Sequence, residues 1–301
     1  MGEGAAEGTV KTERCPEVWF GSEEQRALRE RLLEAPERVL LLDYDGTLAP
    51  FHADKMQAVP YPGVVPILER LRTTAGVRLV LVTGRRASDL EQLIDVARHV
   101  EVWGSHGREH ISATREYTLY PPTSEQIDAL ALMQRDAEAS LAGVPLHVDA
   151  GALSIKSHTS ADRVGTPEPL ERKPASIAIH WRGLTAEAQV CLEESAEAAY
   201  RKHGIAAIER LPFASGIEFR AAGYTKAFAV ERVLEQTRVE SAVAYLGDDI
   251  TDEDAFAAMN GRGISVLVRP ELRSSGARYW IRPPGELLRF LEEWEALAAG
   301  D

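Results

Sequence analysis

Cysteine is nearly missing from this chain: 301 residues carry two, Cys15 and Cys191. Neither a disulfide framework nor a thiolate metal site can be built from one cysteine in a loose N-terminal stretch and one in a helical pattern. A reducing cytoplasm suits such a chain. Long apolar runs are missing too. No stretch approaches the roughly 18–20 apolar residues that a bilayer-spanning helix needs, so no membrane partner is expected. Basic excess is also absent. Thirty-four Lys and Arg against 47 Asp and Glu give a net charge of −13, which argues against a nucleic-acid partner. An anionic small substrate stays open, because a few local cations or a metal reverse the field inside a cleft. The opening MGEGAAEGTVKTER has no apolar signal-peptide core, and Ala6 stands where a myristoylation pattern needs Ser or Thr. Residues 1–21 are therefore expected to form a flexible tail. No internal repeat is visible, and a monomer or weak homodimer is expected.

What the chain does have is an alternation of short apolar runs and helical patterns. VLLLDYDG, VRLVLVTGR and VEVWGSHG read as strands, separated by GVVPILERLRTTAG and ASDLEQLIDVARHV as helices. Near-continuous aliphatics in the strands predict a parallel sheet covered on both faces, the mark of an α/β fold. Between about 109 and 217 the style changes. HISATREYTLY and ASIAIHWRG alternate like half-exposed strands, and SEQIDALALMQRDAEASLAG and TAEAQVCLEESAEAAYRKHG are long helices. Thr185 is placed to cap the second helix and Gly204 to end it. These features predict a small α+β domain, 109–217, inserted into a core made of 22–108 plus 218–301. The polar stretch 157–173 reads as a long loop or flap.

Ligands of an open parallel sheet gather at the carboxyl ends of its strands, and four separated segments place polar groups there. Asp43 and Asp45 follow VLLL; Thr83, Gly84 and Arg85 follow LVLV; Lys226 opens a helix; Asp248, Asp249 and Asp252 follow AVAYLG. Carboxylates from two strand ends repel, at about 4 kcal/mol per pair 4 Å apart in an effective dielectric near 20. A hard divalent ion relieves that repulsion. Mg²⁺ prefers carboxylates and accepts phosphate oxygens, so the cluster predicts Mg²⁺ and a phosphate. Asp43 is then free to attack phosphorus. Asp45 can protonate the leaving alkoxide and later take a proton from water. Thr83 and Lys226 can contact the other phosphate oxygens. Arg85 is better placed to pair with a carboxylate than to touch substrate. Asp252 and Asp254 have a competing structural role, since Thr251-x-x-Asp254 fits a capping box.

These four motifs, D-Y-D-G-T-L, T-G-R, a separated lysine and G-D-D-I-T-D-E, resemble the haloacid dehalogenase superfamily of phosphatases over about 38–270. The resemblance implies a Rossmann-like core with an inserted cap of the larger, C2 type. It also implies Asp43 as nucleophile, Asp45 as acid/base, and Mg²⁺ held by Asp43, the Asp45 carbonyl and Asp248, with Asp249 and Asp252 on metal-bound waters or neighbouring groups. Within the insert, ERKPASIAIHWR (171–182), GIEFR (216–220) and GSHG (104–107) are similar to signatures of the trehalose-6-phosphate phosphatases. That implies that Glu171, Lys173, Arg182 and Glu218 grip a sugar, with His106 and His180 as further candidates for substrate contact. Carboxylates accept from hydroxyls, and Lys and Arg donate to hydroxyls or phosphate. Ala214 departs from the family's lysine, Ala221 from its proline and Trp181 from its tyrosine.

The function implied is a Mg²⁺-dependent phosphatase for a sugar phosphate, trehalose 6-phosphate first. Sucrose phosphate, mannosyl-3-phosphoglycerate, a phosphotransferase and a non-catalytic sensor are the alternatives. Without a synthase-sized second domain, coupling to a glycosyltransferase would be in trans.

Overall fold

The computed structural model describes residues 15–52, 55–143, 170–173, 175–181, 184–204, 207–213, 216–259 and 261–300. Two compact units emerge, Met1–Leu119 with Tyr224–Asp301, and Tyr120–Gly223.

The first unit is an α/β sandwich. Its strands are β1 (Glu17–Val18), β2 (Arg38–Asp43), β3 (Val77–Val82), β4 (Glu101–Gly104), β5 (Glu109–Ile111), β6 (Tyr117–Leu119), β11 (Ala242–Gly247), β12 (Ile264–Val268) and β13 (Tyr279–Ile281). They form one sheet in the order β1-β13-β12-β11-β2-β3-β4-β5-β6. Pairing is parallel from β1 to β4, and β5 and β6 add an antiparallel hairpin. Helices α1 (Glu23–Glu34), α2 (Val64–Thr73), α3 (Ala87–Leu93), α6 (Lys226–Gln236), α7 (Glu253–Met259) and α8 (Gly285–Ala299) flank the sheet.

The middle strands are buried on both faces, which is why their sequence is continuously aliphatic. Val39 to Leu42 have no exposed surface, and each such side chain contributes about 1.5–3 kcal/mol by leaving water. From β2 the chain winds outward through β3 and β4, then returns to β11 and winds the other way. The crevice at the carboxyl ends of β2 and β11 is therefore the topological switch point.

Three expected boundaries move. Residues 109–119 do not belong to the insert: β5 pairs with β4, and β6 with β5, so the hairpin extends the core sheet. The second unit begins at Tyr120 and runs to Gly223, so residues 218–223, expected in the core, belong to it, because β10 pairs with β8 and β9. Nor is all of 1–21 a loose tail. Glu17 and Val18 pair with Tyr279 and Trp280, and Trp19 is buried against Tyr279, ring centroids 4.9 Å apart. A buried indole outweighs the polarity of its neighbours. Residues 1–14 lie outside the described part.

The second unit pairs β7 (Leu170–Lys173), β8 (Ser176–His180), β10 (Gly216–Ala221) and β9 (Ile208–Phe213) in that antiparallel order, with α4 (Ser124–Gly143) and α5 (Ala186–His203). Ile177, Ile179, Ile217 and Phe219 alternate along β8 and β10 and pack with Met133, Ala137, Ala196 and Ala199 of the helices. Thr185 caps α5 by accepting from Ala188 N, and Gly204 ends it. Pro212 sits on edge strand β9, where a missing N–H costs no ladder bond. Most of the expected flap, 157–169, and Ala214 lie outside the described residues.

Candidate active site

Strand β2 delivers Asp43 to the carboxyl edge of the sheet. The turn after it is fixed by its own backbone, with Leu48 N and Ala49 N donating to Tyr44 O and Gly46 N to Ala49 O. The buried Tyr44 hydroxyl donates to Ala58 O at 2.6 Å and anchors this turn. Gly46 has φ +83°, and a Cβ there would lie 2.1 Å from Asp248 Oδ2. Only glycine lets the turn pass this close to the carboxylate.

Asp43 is buried and bonded on both oxygens. Lys226 Nζ donates to Oδ1 at 2.7 Å, and Thr47 Oγ1 donates to Oδ2 at 3.1 Å. Lys226 is the first residue of α6, whose N-cap Thr225 accepts from Ala227 N. The same ammonium donates to Asp252 Oδ1 at 2.8 Å. Asp252 has no exposed surface and accepts four hydrogen bonds. Its Oδ1 also takes the Tyr245 hydroxyl at 2.5 Å, and its Oδ2 takes the backbone N–H groups of Asp248 and Asp249.

Asp43, Asp248 and Asp252 bring one carboxylate oxygen each within 4.8 Å of one another. Burial pushes the Asp43 carboxyl up to about 7 against the pull of Lys226. Burial, then the charges of Asp43 and Asp252, push Asp248 up to about 10. Lys226 is held well above the ordinary lysine range: burial opposes its charge, but Asp252 and Asp43 overcome that.

This donor set fits a hard divalent cation. Asp248 Oδ1 is buried and finds no hydrogen-bond partner among the described residues, a costly state for a carboxylate unless a cation faces it. Asp43 and Asp248 are the ligands of choice. The four acceptor sites of Asp252 are already taken, so it organises Lys226 and the 248–249 backbone. Asp249 acts as the cap of the short helical turn 250–252 and forms a capping box with Asp252. The capping role expected of Thr251 and Asp254 thus falls two residues earlier.

On the neighbouring strand end, Thr83 Oγ1 accepts from Arg85 N at 3.1 Å, which leaves the hydroxyl proton to be donated elsewhere. Arg85 grips Asp45 with two bonds, Nη2 to Oδ1 at 2.5 Å and Nε to Oδ2 at 2.6 Å. As its position suggested, Arg85 pairs with a carboxylate. The His106 ring lies over Gly84, where a Cβ would meet His106 Cε1 at 2.6 Å.

In the second unit, antiparallel register puts Glu171 and Glu218 on either side of Ala178, on the face away from the two helices. His180 shares that face and meets Glu171 Oε2 at 3.1 Å. Glu218 accepts from Ser176 Oγ. Lys173 pairs with Ser176 across the ladder. Arg182 lies outside the described residues.

Sequence reasoning missed Tyr245, which supports Asp252; Thr47, which was visible inside D-G-T but given no role; and Arg269 and Arg273. These two arginines converge on the Asp248 carbonyl oxygen at 3.2 and 3.3 Å.

The chain resembles known proteins throughout. It is 26% identical over 268 residues to a trehalose-phosphate phosphatase of Mycobacterium marinum, covering 86% of this chain and 61% of the relative. It thus spans less than two thirds of that relative's length. Its fold matches the C-terminal domain of the Candida albicans trehalose-6-phosphate phosphatase, with TM-score 0.68, 20% identity, and 95% and 99% of the two chains covered. It also matches BT1666 of Bacteroides thetaiotaomicron, a phosphatase of the haloalkanoate (HAD) superfamily, with TM-score 0.56, 18% identity, and 86% and 95% covered. The fold is thus the α/β HAD fold foreseen from the motifs. A trehalose-phosphatase profile matches residues 41–278, most of the 301, and the chain belongs to that family.

Proposed function

We propose that this protein is a Mg²⁺-dependent phosphatase that hydrolyses a sugar phosphate, trehalose 6-phosphate first, through an aspartyl-phosphate on Asp43. The observation that carries the reading is the buried Asp43–Lys226–Asp252 chain beside Asp248, with one Asp248 oxygen unsatisfied. Asp43 and Asp248 would hold the ion together with the Asp45 carbonyl. When bound, Mg²⁺ neutralises the crowded carboxylates and the phosphoryl charge.

The residues divide the remaining work. Lys226 opposes the burial that favours protonated Asp43 and orients its carboxylate, so Oδ2 of the ionised form can attack phosphorus once Thr47 yields. The P–O bond to the sugar breaks as the Asp43–P bond forms. Asp45, once released from Arg85 and protonated from solvent, gives that proton to the departing alkoxide, then takes one from the water that attacks the phosphoryl group. That water releases inorganic phosphate and regenerates Asp43. Thr83 donates its hydroxyl proton to a phosphoryl oxygen. Sugar recognition is assigned to Glu171, His180 and Glu218, with Lys173 and Arg182 as further donors and His106 as a contact near Gly84. Asp249 and Asp252 act by fixing their neighbours. Among the described residues no helix is long and apolar enough to cross a membrane, and we place the reaction in the cytoplasm.

The test is phosphate release from a sugar-phosphate panel. Wild type with Mg²⁺ should be active, and EDTA or Asp43→Asn should abolish turnover. A wild type that releases no phosphate from any substrate would end the proposal.

A further inference from the structure

Two buried carboxylates among the first unit's described residues, Glu101 and Glu109, are unused by this mechanism. Glu109, on β5, is 4% exposed. Its Oε2 accepts from Ser105 Oγ at 2.6 Å and from Ala87 N, the start of α3, at 3.2 Å. Its Oε1 accepts from the Tyr117 hydroxyl at 3.2 Å. Ser105, His106 and Gly107 have φ of +49°, +56° and +97°, three successive residues in the left-handed region, two of them not glycine. Such backbone persists only where its surroundings over-determine it.

This arch sits against two catalytic elements. Ser105 N donates to Arg85 O at 2.6 Å, and His106 N donates to Thr83 O at 3.0 Å. The His106 ring fills the place of a Gly84 side chain, and a Cβ on Gly107 would lie 2.8 Å from Thr225 O, beside Lys226. The arch therefore touches both the loop carrying Thr83 and the N-terminus carrying Lys226. Among the described residues, the Ser105 side chain is tied to the sheet through Glu109.

We propose that Glu109 is a positioning residue: it clamps the left-handed Ser105–Gly107 arch onto the start of α3 and so seats Thr83 and Lys226 for phosphoryl transfer. The inference rests on the phosphatase reading. It acts through the Ser105 backbone, so glycine at 105, which takes φ near +49° without strain, should make the clamp dispensable.

The experiment measures kcat, KM and Tm for wild type, Glu109→Gln, Ser105→Gly, Ser105→Val and the Glu109→Gln/Ser105→Gly double variant, on one substrate. Glu109→Gln should lose about tenfold or more in kcat, and the double variant should recover to within about threefold of wild type, without recovering Tm. Ser105→Gly alone should stay active and Ser105→Val should not, since a β-branched residue resists this conformation. The Ser105 pair decides the matter even if Glu109→Gln fails to fold. A double variant no better than Glu109→Gln, or Ser105→Val as active as Ser105→Gly, overturns the proposal. An inactive wild type instead overturns the phosphatase reading itself.

Discussion

Lys226 lies between Asp43 and Asp252 with almost no exposure, so its charge is what lets two carboxylates share a buried site. Removing one partner of a buried ionic network leaves uncompensated charge, at about 3–5 kcal/mol. Lys226→Met should therefore lower unfolding free energy by about that amount in EDTA and abolish turnover, as read by denaturant titration and phosphate release. Asp248 is the opposite case. Its charge is opposed by burial, Asp43 and Asp252, so Asp248→Asn should raise Tm in EDTA while removing the stabilisation that Mg²⁺ gives wild type.

The same carboxyls set a pH dependence whose sign can be worked out. Folding raises Asp43 from 3.8 to about 7 and Asp248 from 3.8 to about 10. Between the lower and upper values the folded state holds protons that the unfolded chain has released, so stability falls as pH rises. Both groups contribute stability below their unfolded values. That of Asp43 is lost through about pH 7 and that of Asp248 through about pH 10. In EDTA, Tm should fall between about pH 5 and pH 9, and added Mg²⁺ should raise Tm more at the upper end. Differential scanning fluorimetry across pH checks this; equal Mg²⁺ shifts at both ends would contradict it.

At the scale of elements, the turn after β2 is the most constrained piece. Gly46→Ala would push a methyl into Asp248, and activity should drop at least tenfold while far-UV circular dichroism stays native. By contrast Thr185→Ala, which loses only the α5 cap, should cost about 1 kcal/mol of stability in denaturant titration. Much of this level was legible beforehand. Continuous aliphatics identified β2, β3 and β11, because only strands buried on both faces can carry them. The hairpin 109–119 was misassigned, because alternation reveals which face a residue occupies but not which sheet its strand joins. The carboxyl-end cluster was legible from residue types at strand exits. The supports Tyr245, Glu109, Arg269 and Arg273 were not, since a hydrogen bond across distant segments leaves no spacing in the sequence. Two overlapping patterns in this stretch fit a capping box, and the structure uses Asp249 and Asp252, not Thr251 and Asp254.

For the whole molecule, the proposed reaction asks a chain of net charge −13 to accept an anionic substrate, and local cations such as Lys226 in the crevice would make that possible. The face bearing Glu171, His180 and Glu218 carries acceptors suited to hydroxyls. Turnover of trehalose 6-phosphate should exceed that of sucrose 6-phosphate and mannosyl-3-phosphoglycerate, and comparison with Ala214→Lys would show how far that position tunes the preference. Beneath all of these lies the nucleophile. Mixing the protein with Mg²⁺ and trehalose 6-phosphate, quenching in acid within the first turnover and mapping the peptides by mass spectrometry should find the phosphoryl group on Asp43. Rapid phosphate release with Asp43 unmodified, or a label on any other residue, would contradict the account.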